Sequence, residues 1–164
     1  IGDHGVAIMS SRENLQFATT ITSDSAAVHS LVADMLNVSK EIHCLRDPTR
    51  GGLATSLNEL ATQSAVGMVI DEQKIPIKAE VKAACEILGL DPLYVANEGK
   101  LVCICPAEHA EALIVAMQQN PLGKDAAIIG QVISDENNFV QMSTAFGGQR
   151  IVDWLAGEQL PRIC

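Results

Sequence analysis

Apolar side chains recur every three or four residues in four segments of the chain. This spacing is the period of an amphipathic helix, so it predicts four helices. The segments are 28–36, 53–61, 79–88 and 107–119. Ser23, Asp24 and Ser25 precede the first segment and are candidate caps for its N-terminus, whereas Gly89 is expected to end the third helix.

Shorter apolar runs between the helical segments predict β-strands. The runs are 42–45, 66–70, 101–105, 127–133 and 138–142. The run 101–105 is uninterrupted and predicts a buried strand, and a turn at 135–137 is expected to join the last two runs. Residues 150–155 fit either a final strand or a short helix. Because helices and strands interleave, the expected fold class is α/β (α+β), a mixed β-sheet flanked by helices.

A chain of 164 residues is long enough for one hydrophobic core, and we expect a single domain over residues 1–155. Residues 156–164 show neither period and are expected to form a flexible tail that carries the terminal Cys164. The sequence begins at Ile1, directly before a Gly-Asp-His-Gly sequence at 2–5 that is interpreted as a turn. We therefore expect that a further segment precedes it.

The composition argues against membranes and nucleic acid as binding partners. Hydrophobic residues make up 48% of the chain, but no run approaches the roughly 20 apolar residues of a membrane span. Twenty acidic against eleven basic side chains give a net charge of −9, which would repel nucleic acid and anionic membranes. Five cysteines in irregular spacing are typical of reduced thiols rather than of a disulfide framework. We therefore expect a cytoplasmic protein that binds neither nucleic acid nor membranes.

The sequence Asp-Pro-Thr-Arg-Gly-Gly at 47–52 lies between a predicted strand and a predicted helix. Glycines that open a helix expose backbone N–H groups, which can bind an anion such as phosphate together with the helix dipole and a nearby arginine. The candidate binding residues are Asp47, Thr49, Arg50, Gly51 and Gly52. A tight turn in which Arg50 pairs with Asp47 would explain the same residues without a ligand.

The sequence Asn97-Glu98-Gly99-Lys100 precedes the predicted strand 101–105. A carboxylate in a loop that a strand holds rigid can be directed into a cleft as a general base. Glu98 is therefore a candidate catalytic residue. Exposed Glu and Lys side chains are also common in loops that have no function, so a solvated turn is the alternative.

Two groups of cysteines lead to different expectations. Cys103 and Cys105 would face the same side of a strand, where we interpret them as core residues, because the chain lacks the paired spacings of a zinc site. Cys164 is the last residue, on a segment that could extend over about 20 Å. A thiol on such a segment can reach two sites, and an incidental cysteine at a chain end is the alternative.

Taken together and in this order, the motifs at 2–5, 47–52 and 97–100 and the terminal Pro-Arg-Ile-Cys at 161–164 resemble the HypE family. HypE proteins are maturation factors of nickel–iron hydrogenases. The resemblance covers essentially the whole chain but only the C-terminal half of the family's proteins, whose fold is similar to that of aminoimidazole ribonucleotide synthetases.

The resemblance implies an ATP-dependent carbamoyl dehydratase. The terminal cysteine of such a protein receives a carbamoyl group from the carbamoyltransferase HypF, and dehydration turns the group into a thiocyanate. The cyanide then passes to iron on a HypC–HypD complex. For this sequence the resemblance implies that Cys164 is the acceptor, that Glu98 removes protons, and that residues 47–52 border the nucleotide.

The resemblance also implies ATP with Mg, bound mainly by an N-terminal domain that this sequence does not contain, and a homodimer when the protein is full length. The chain alone is therefore expected to be inactive. Two alternatives stay open: another ATP-using enzyme of the same superfamily, and a non-catalytic module whose tail thiol binds a metal or a partner.

Overall fold

The structure, a computed structural model, describes residues 1–12 and 21–155. Within these ranges the helices are α1 (Asp3–Arg12), α2 (His29–Val38), α3 (Gly52–Ser64), α4 (Ala79–Leu88) and α5 (Ala107–Gln119). The strands are β1 (Cys44–Arg46), β2 (Gly67–Asp71), β3 (Val102–Ile104), β4 (Gly130–Ile133), β5 (Val140–Ser143) and β6 (Gln149–Ile151). Short 3-10 helices occupy Glu72–Lys74, Pro92–Tyr94 and Pro121–Gly123.

The four helices predicted from apolar spacing are confirmed as α2 to α5, but the start of the chain differs from the prediction. The turn predicted at residues 2–5 is wrong, because α1 begins at Asp3. Gly5 lies inside this helix, and its N–H donates to the carbonyl of Ala96 at 3.1 Å. A Cβ on Gly5 would lie 2.4 Å from Cγ1 of Val95, so this glycine permits close packing rather than a turn.

The predicted caps of α2 are also wrong. The residue that caps α2 is Val28, which makes no side-chain hydrogen bond to the helix. The hydroxyl of Ser23 instead accepts the N–H of Ser25 and lies 2.8 Å from Nδ1 of His4. Asp24 binds a distant loop, described below. A polar side chain before a helix has several possible partners, and here the tertiary ones prevail.

A four-stranded sheet in the order β4-β2-β5-β6 confirms the predicted mixed sheet. Strand β2 runs antiparallel to β4 and parallel to β5, and β5 pairs antiparallel with β6. The predicted turn at 135–137 joins β4 to β5, but these strands do not pair, because β2 lies between them. Strands β1 and β3 form a separate antiparallel pair.

Three apolar clusters hold these layers together. The largest packs α3 on the four-stranded sheet, the second lies between α1 and α4, and the third joins α2 and α5 to β3. Strand β3 lies between two of them: Cys103 and Cys105 contact the third cluster, whereas Val102 and Ile104 contact the first. The strand is half-buried rather than buried. The two thiols predicted to be core residues, Cys103 in the strand and Cys105 just after it, are half-buried against the third cluster.

Among the described residues, no helix has both the length and the apolarity needed to cross a membrane.

Candidate functional site

The two candidate motifs, residues 47–52 and 97–100, meet at the side chain of Asn97. This side chain is completely buried. Its Nδ2 donates to the carbonyls of Pro48 at 3.1 Å and Val95 at 3.0 Å, and its Oδ1 accepts the N–H of Gly2 at 2.7 Å. The backbone N–H of Asn97 donates to the same Pro48 carbonyl. One buried amide therefore joins the entrance of α1 and both motifs into one junction.

Residues 47–52 form the predicted connection into a helix N-terminus. Helix α3 begins at Gly52, Gly51 has a left-handed φ of 71°, and no side chain caps the helix. The proposed alternative, an Arg50–Asp47 ion pair, is not observed: Asp47 Oδ2 accepts a hydrogen bond from Thr49 Oγ1 at 2.8 Å. Arg50 is exposed and has no hydrogen bond or ion pair with any described residue.

The glycine pair also has a packing role. A Cβ on Gly52 would lie 2.5 Å from the carbonyl oxygen of Leu93 and 2.7 Å from that of Val95. A Cβ on Gly51 would lie 2.1 Å from the hydroxyl of Thr55. The first turn of α3 can therefore approach the backbone segment before Asn97 only because Gly52 has no side chain, whereas Gly51 leaves room for Thr55 of the same helix.

An open cavity of about 320 Å³ lies beside this turn. Its lining residues are Arg46, Asp47, Thr49, Arg50, Thr55 and Glu59. Arg46 is paired with Glu59, which leaves Arg50 as the lining cation without an ion pair among the described residues. The hydroxyl oxygen of Thr55 is buried and has no hydrogen-bond partner in the described part of the chain. A free cation, an unpaired hydroxyl and a helix N-terminus together suit an anionic group.

Glu98 lies on a loop that is held from both sides. Its backbone N–H donates to Asp24 Oδ1 at 3.2 Å, and the next N–H, that of Gly99, donates to Asp24 Oδ2 at 3.3 Å. A Cβ on Gly99 would lie 1.7 Å from the backbone oxygen of Asp24, so the two segments are in direct contact. The Glu98 carboxylate is half-buried and binds no described residue, which leaves it available to a ligand.

A network of four charged side chains lies behind this loop. Lys100 Nζ donates to Asp24 Oδ2 at 2.6 Å and to Asp3 Oδ2 at 2.9 Å. Lys78 Nζ lies 2.6 Å from Asp3 Oδ1. Burial by itself raises the pKa of Asp3, but hydrogen bonds from Lys78 and Lys100 outweigh it and lower the pKa to about 2.

The pKa of Asp24 is lowered in the same way. Burial opposes ionisation of this carboxyl group, but the hydrogen bond from Lys100 and those from the amides of Glu98 and Gly99 favour the charged form more strongly. Sequence reasoning missed Asp3, Asp24 and Lys78. Lys100 was part of the motif at 97–100, but nothing in the sequence indicated that it pairs with Asp3 and Asp24.

Cys164 and the predicted tail 156–164 lie outside the described residues. Within residues 1–12 and 21–155, no three His, Cys, Asp or Glu side chains cluster closely enough to hold a metal ion. Burial raises the pKa of Cys103 to about 11, and the neighbouring thiols of Cys105 and Cys44 add to the shift. A thiol of this kind stays protonated, which fits its packing role.

Comparison with known proteins identifies the fold family. A family model described as AIR synthase related protein, C-terminal domain, matches residues 1–143. The chain belongs to this family. Curated proteins that are similar to the chain include carbamoyl dehydratase HypE of Azotobacter vinelandii, which is 66% identical over 164 residues. That match covers 100% of the chain and 48% of the relative, so the chain spans about half the length of the curated relatives it matches.

Solved structures of HypE proteins are also similar to the chain. The crystal structure of hydrogenase maturation protein HypE in complex with ATP matches 100% of the chain and 50% of its own length, with 48% identity and a TM-score of 0.94. The match to a chain in the crystal structure of the HypE–HypF complex covers 94% of this chain and 50% of that chain, with 46% identity and a TM-score of 0.90. The resemblance to HypE expected from the sequence motifs is confirmed, whereas the roles of individual residues stay predictions.

Proposed function

We propose that this chain is part of an ATP-dependent carbamoyl dehydratase. In this reaction an S-carbamoyl group on Cys164 becomes a thiocyanate, the cyanide donor for the active site of nickel–iron hydrogenases. The observation that carries the proposal is the junction at Asn97, whose hydrogen bonds to Pro48 join the Glu98 loop to the turn at 47–52. Relatives named carbamoyl dehydratase that match the whole chain support it.

The chemistry of the reaction explains why both motifs are needed. Water is a poor leaving group from an amide, so a phosphoryl group from ATP on the carbonyl oxygen makes phosphate the leaving group instead. The nitrogen loses one proton as the oxygen is phosphorylated and its second proton as phosphate departs, which leaves the S–C≡N group. Thiocarboxamide and ATP are thus converted to thiocyanate, ADP and phosphate.

Glu98 is proposed as the base that removes these protons. Its carboxylate binds no described residue, whereas its backbone is fixed by Asp24 on one side and by the buried Asn97 on the other. A rigid loop with a free carboxylate is what a general base requires.

The turn at 47–52 is proposed to bind the anionic side of the nucleotide. Arg50 supplies a positive charge that forms no ion pair with a described carboxylate, and Thr55 lines the same cavity. Asp47, Thr49, Gly51 and Gly52 shape this turn. Most contacts to ATP and Mg are proposed to lie in the part of the relatives that this chain does not cover. The chain by itself is therefore not expected to catalyse the dehydration.

The proposed partners follow the same relatives. A solved structure of a HypE–HypF complex supports the carbamoyltransferase HypF as the donor of the carbamoyl group. A HypC–HypD complex is proposed to receive the cyanide, and the full-length protein is proposed to be a cytoplasmic homodimer.

The test uses the full-length protein, in which this chain is joined to the half that its relatives have in addition. The protein is incubated with the carbamoyltransferase, carbamoyl phosphate and ATP, and its intact mass is measured. We expect a carbamoyl adduct on Cys164 that loses one water only when ATP is present. An unmodified Cys164 in a folded protein with an active transferase would contradict the proposal and favour a metal-binding or partner-binding module.

The role of Glu98 is tested by Glu98→Gln in the same assay. Removing a general base lowers the rate of water loss by at least about 100-fold, and the carbamoyl adduct should accumulate. Glu136→Gln is the matched control, because Glu136 is exposed in the turn between β4 and β5. Full dehydration activity in Glu98→Gln would exclude Glu98 as the base.

A further inference from the structure

The loop that carries Glu98 depends on a residue 74 positions earlier in the chain. The two carboxylate oxygens of Asp24 accept the N–H groups of Glu98 and Gly99, one oxygen each. The Asp24 side chain is only 10% exposed, so these hydrogen bonds are largely shielded from water. Asp24 therefore fixes the peptide plane from which the Glu98 side chain projects.

The orientation of Asp24 is itself fixed by charge. Lys100 donates to Asp24 and to Asp3, and Asp3 is held in turn by Lys78. The contact of Gly99 with the Asp24 backbone leaves no room for the loop to move toward it. The Asp24 carboxylate thus cannot rotate without breaking an ion pair and two hydrogen bonds.

We propose that Asp24 is a positioning residue for Glu98, acting through the two backbone amides and not on the reacting group. The inference rests on the proposed function, in which Glu98 removes protons from the carbamoyl nitrogen. A displacement of about 1 Å at a reacting group can lower a rate by roughly 100-fold. Loss of the Asp24 anchor should therefore slow dehydration even though Asp24 touches no substrate.

The test is a single-turnover measurement on the full-length protein. The protein is carbamoylated first, ATP is then added at saturation, and loss of water is followed by intact mass. For Asp24→Asn we expect the rate constant to fall by about 10-fold to 100-fold, while the fraction of protein that finally reacts stays unchanged. A purely structural role would lower the reacting fraction and leave the rate constant of the folded molecules as it was.

Asp135→Asn is the matched control. Asp135 also accepts two backbone amides, at 3.0 and 3.2 Å, but it does so in the turn between β4 and β5. The two variants make the same chemical change to the same kind of hydrogen bond. We expect the control to dehydrate at the wild-type rate.

A double-mutant cycle decides whether Asp24 acts through Glu98. Asp24→Asn should lower the rate constant for loss of water when Glu98 is present. In a protein that already carries Glu98→Gln, it should lower that rate constant hardly any further. Should Asp24→Asn fail to fold, Lys100→Gln replaces it: this change releases Asp24 from one partner but keeps both amide bonds, so a smaller slowing with the same non-additivity is expected.

The possible failures are distinguishable. A wild-type protein that never loses water after ATP is added would overturn the proposed function, and this inference with it. Normal kinetics in Asp24→Asn, or in Lys100→Gln where that replaces it, would overturn the inference alone. The same conclusion would follow from a slowing that is fully additive with Glu98→Gln.

Discussion

The carboxylates of Asp24 and Asp135 each accept two backbone amides, but the amides come from very different parts of the chain. Asp135 binds the N–H groups two and four residues ahead of it in the turn between β4 and β5. Asp24 binds those of Glu98 and Gly99, 74 and 75 residues ahead. The turn between β4 and β5 is thus shaped by local contacts, and the loop of the candidate site by contacts that exist only in the folded chain.

The comparison extends to the buried amides of the two regions. Asn58 of α3 donates to the carbonyls of Ala54 and Val152, and so links the helix to the segment after β6. Asn97 makes three side-chain hydrogen bonds, which link three separate segments. Loss of a single polar side chain should therefore lower the free energy of unfolding more in the candidate site than in the sheet region.

The largest expected effect is that of Asn97→Ala. The substitution leaves the N–H of Gly2 and the carbonyl of Val95 buried without these partners, which should cost about 3 kcal/mol in the free energy of unfolding. Asn58→Ala, the control from the sheet region, should cost about 2 kcal/mol, since it removes two bonds rather than three. Urea unfolding of both variants provides the measurement, and equal losses would remove the proposed difference between the regions.

The next effect is a dependence of stability on pH that originates in Asp3. The pKa of this carboxyl is about 2 in the folded protein against an ordinary value of 3.8, so the unfolded chain binds more protons between about pH 4 and pH 2. The stabilisation, about 2 kcal/mol, is present above this window and lost as the pH falls through it.

Acid unfolding of Asp3→Asn should therefore show a flatter response between pH 4 and 2 than the wild-type protein. Asp91→Asn is the control, because Asp91 forms a half-exposed ion pair with Arg150 beside the sheet. Surface pairs contribute roughly 0–1 kcal/mol, so little change is expected there. An unchanged acid response in Asp3→Asn would exclude Asp3 as its source.

The smallest expected effect is on nucleotide binding. Arg50 has no ion pair to lose among the described residues, so Arg50→Ala should leave the unfolding midpoint unchanged and raise the half-saturating ATP concentration about tenfold, or about 1.4 kcal/mol. Arg150→Ala, at the sheet edge, should leave the ATP dependence as it is. The dehydration rate of both full-length variants is measured as a function of ATP concentration. A normal ATP dependence in Arg50→Ala would show that Arg50 does not bind the nucleotide.

Much of the fold could be predicted because its signals are local. The apolar period located α2 to α5, and Gly89 ends α4 in a left-handed conformation as expected. The beginning of the chain was misinterpreted because glycine is also typical of turns. Whether Gly5 lies in a turn or in a helix depends on its contact with Val95 and Ala96, which no local pattern contains.

The candidate site was predicted in part for the same reason. The motifs at 47–52 and 97–100 could be recognised from the residues themselves, since a Gly pair before a helix and a carboxylate before a strand are sequence features. The contact of the two motifs through Asn97 could not be predicted from the sequence. Nor could Asp3, Asp24 and Lys78 be selected from the chain's many other charged residues.

The sequence by itself determined helices α2 to α5 and most of the strands, because apolar period and helix-ending glycines act over a few residues. The tertiary structure decided the order of strands in the sheet, in which β2 separates β4 from β5. It also decided which charges meet, since Lys100 contacts carboxylates that lie 76 and 97 residues away. Such pairs form only when packing of the apolar clusters brings distant segments together, and burial then makes each charge require a partner.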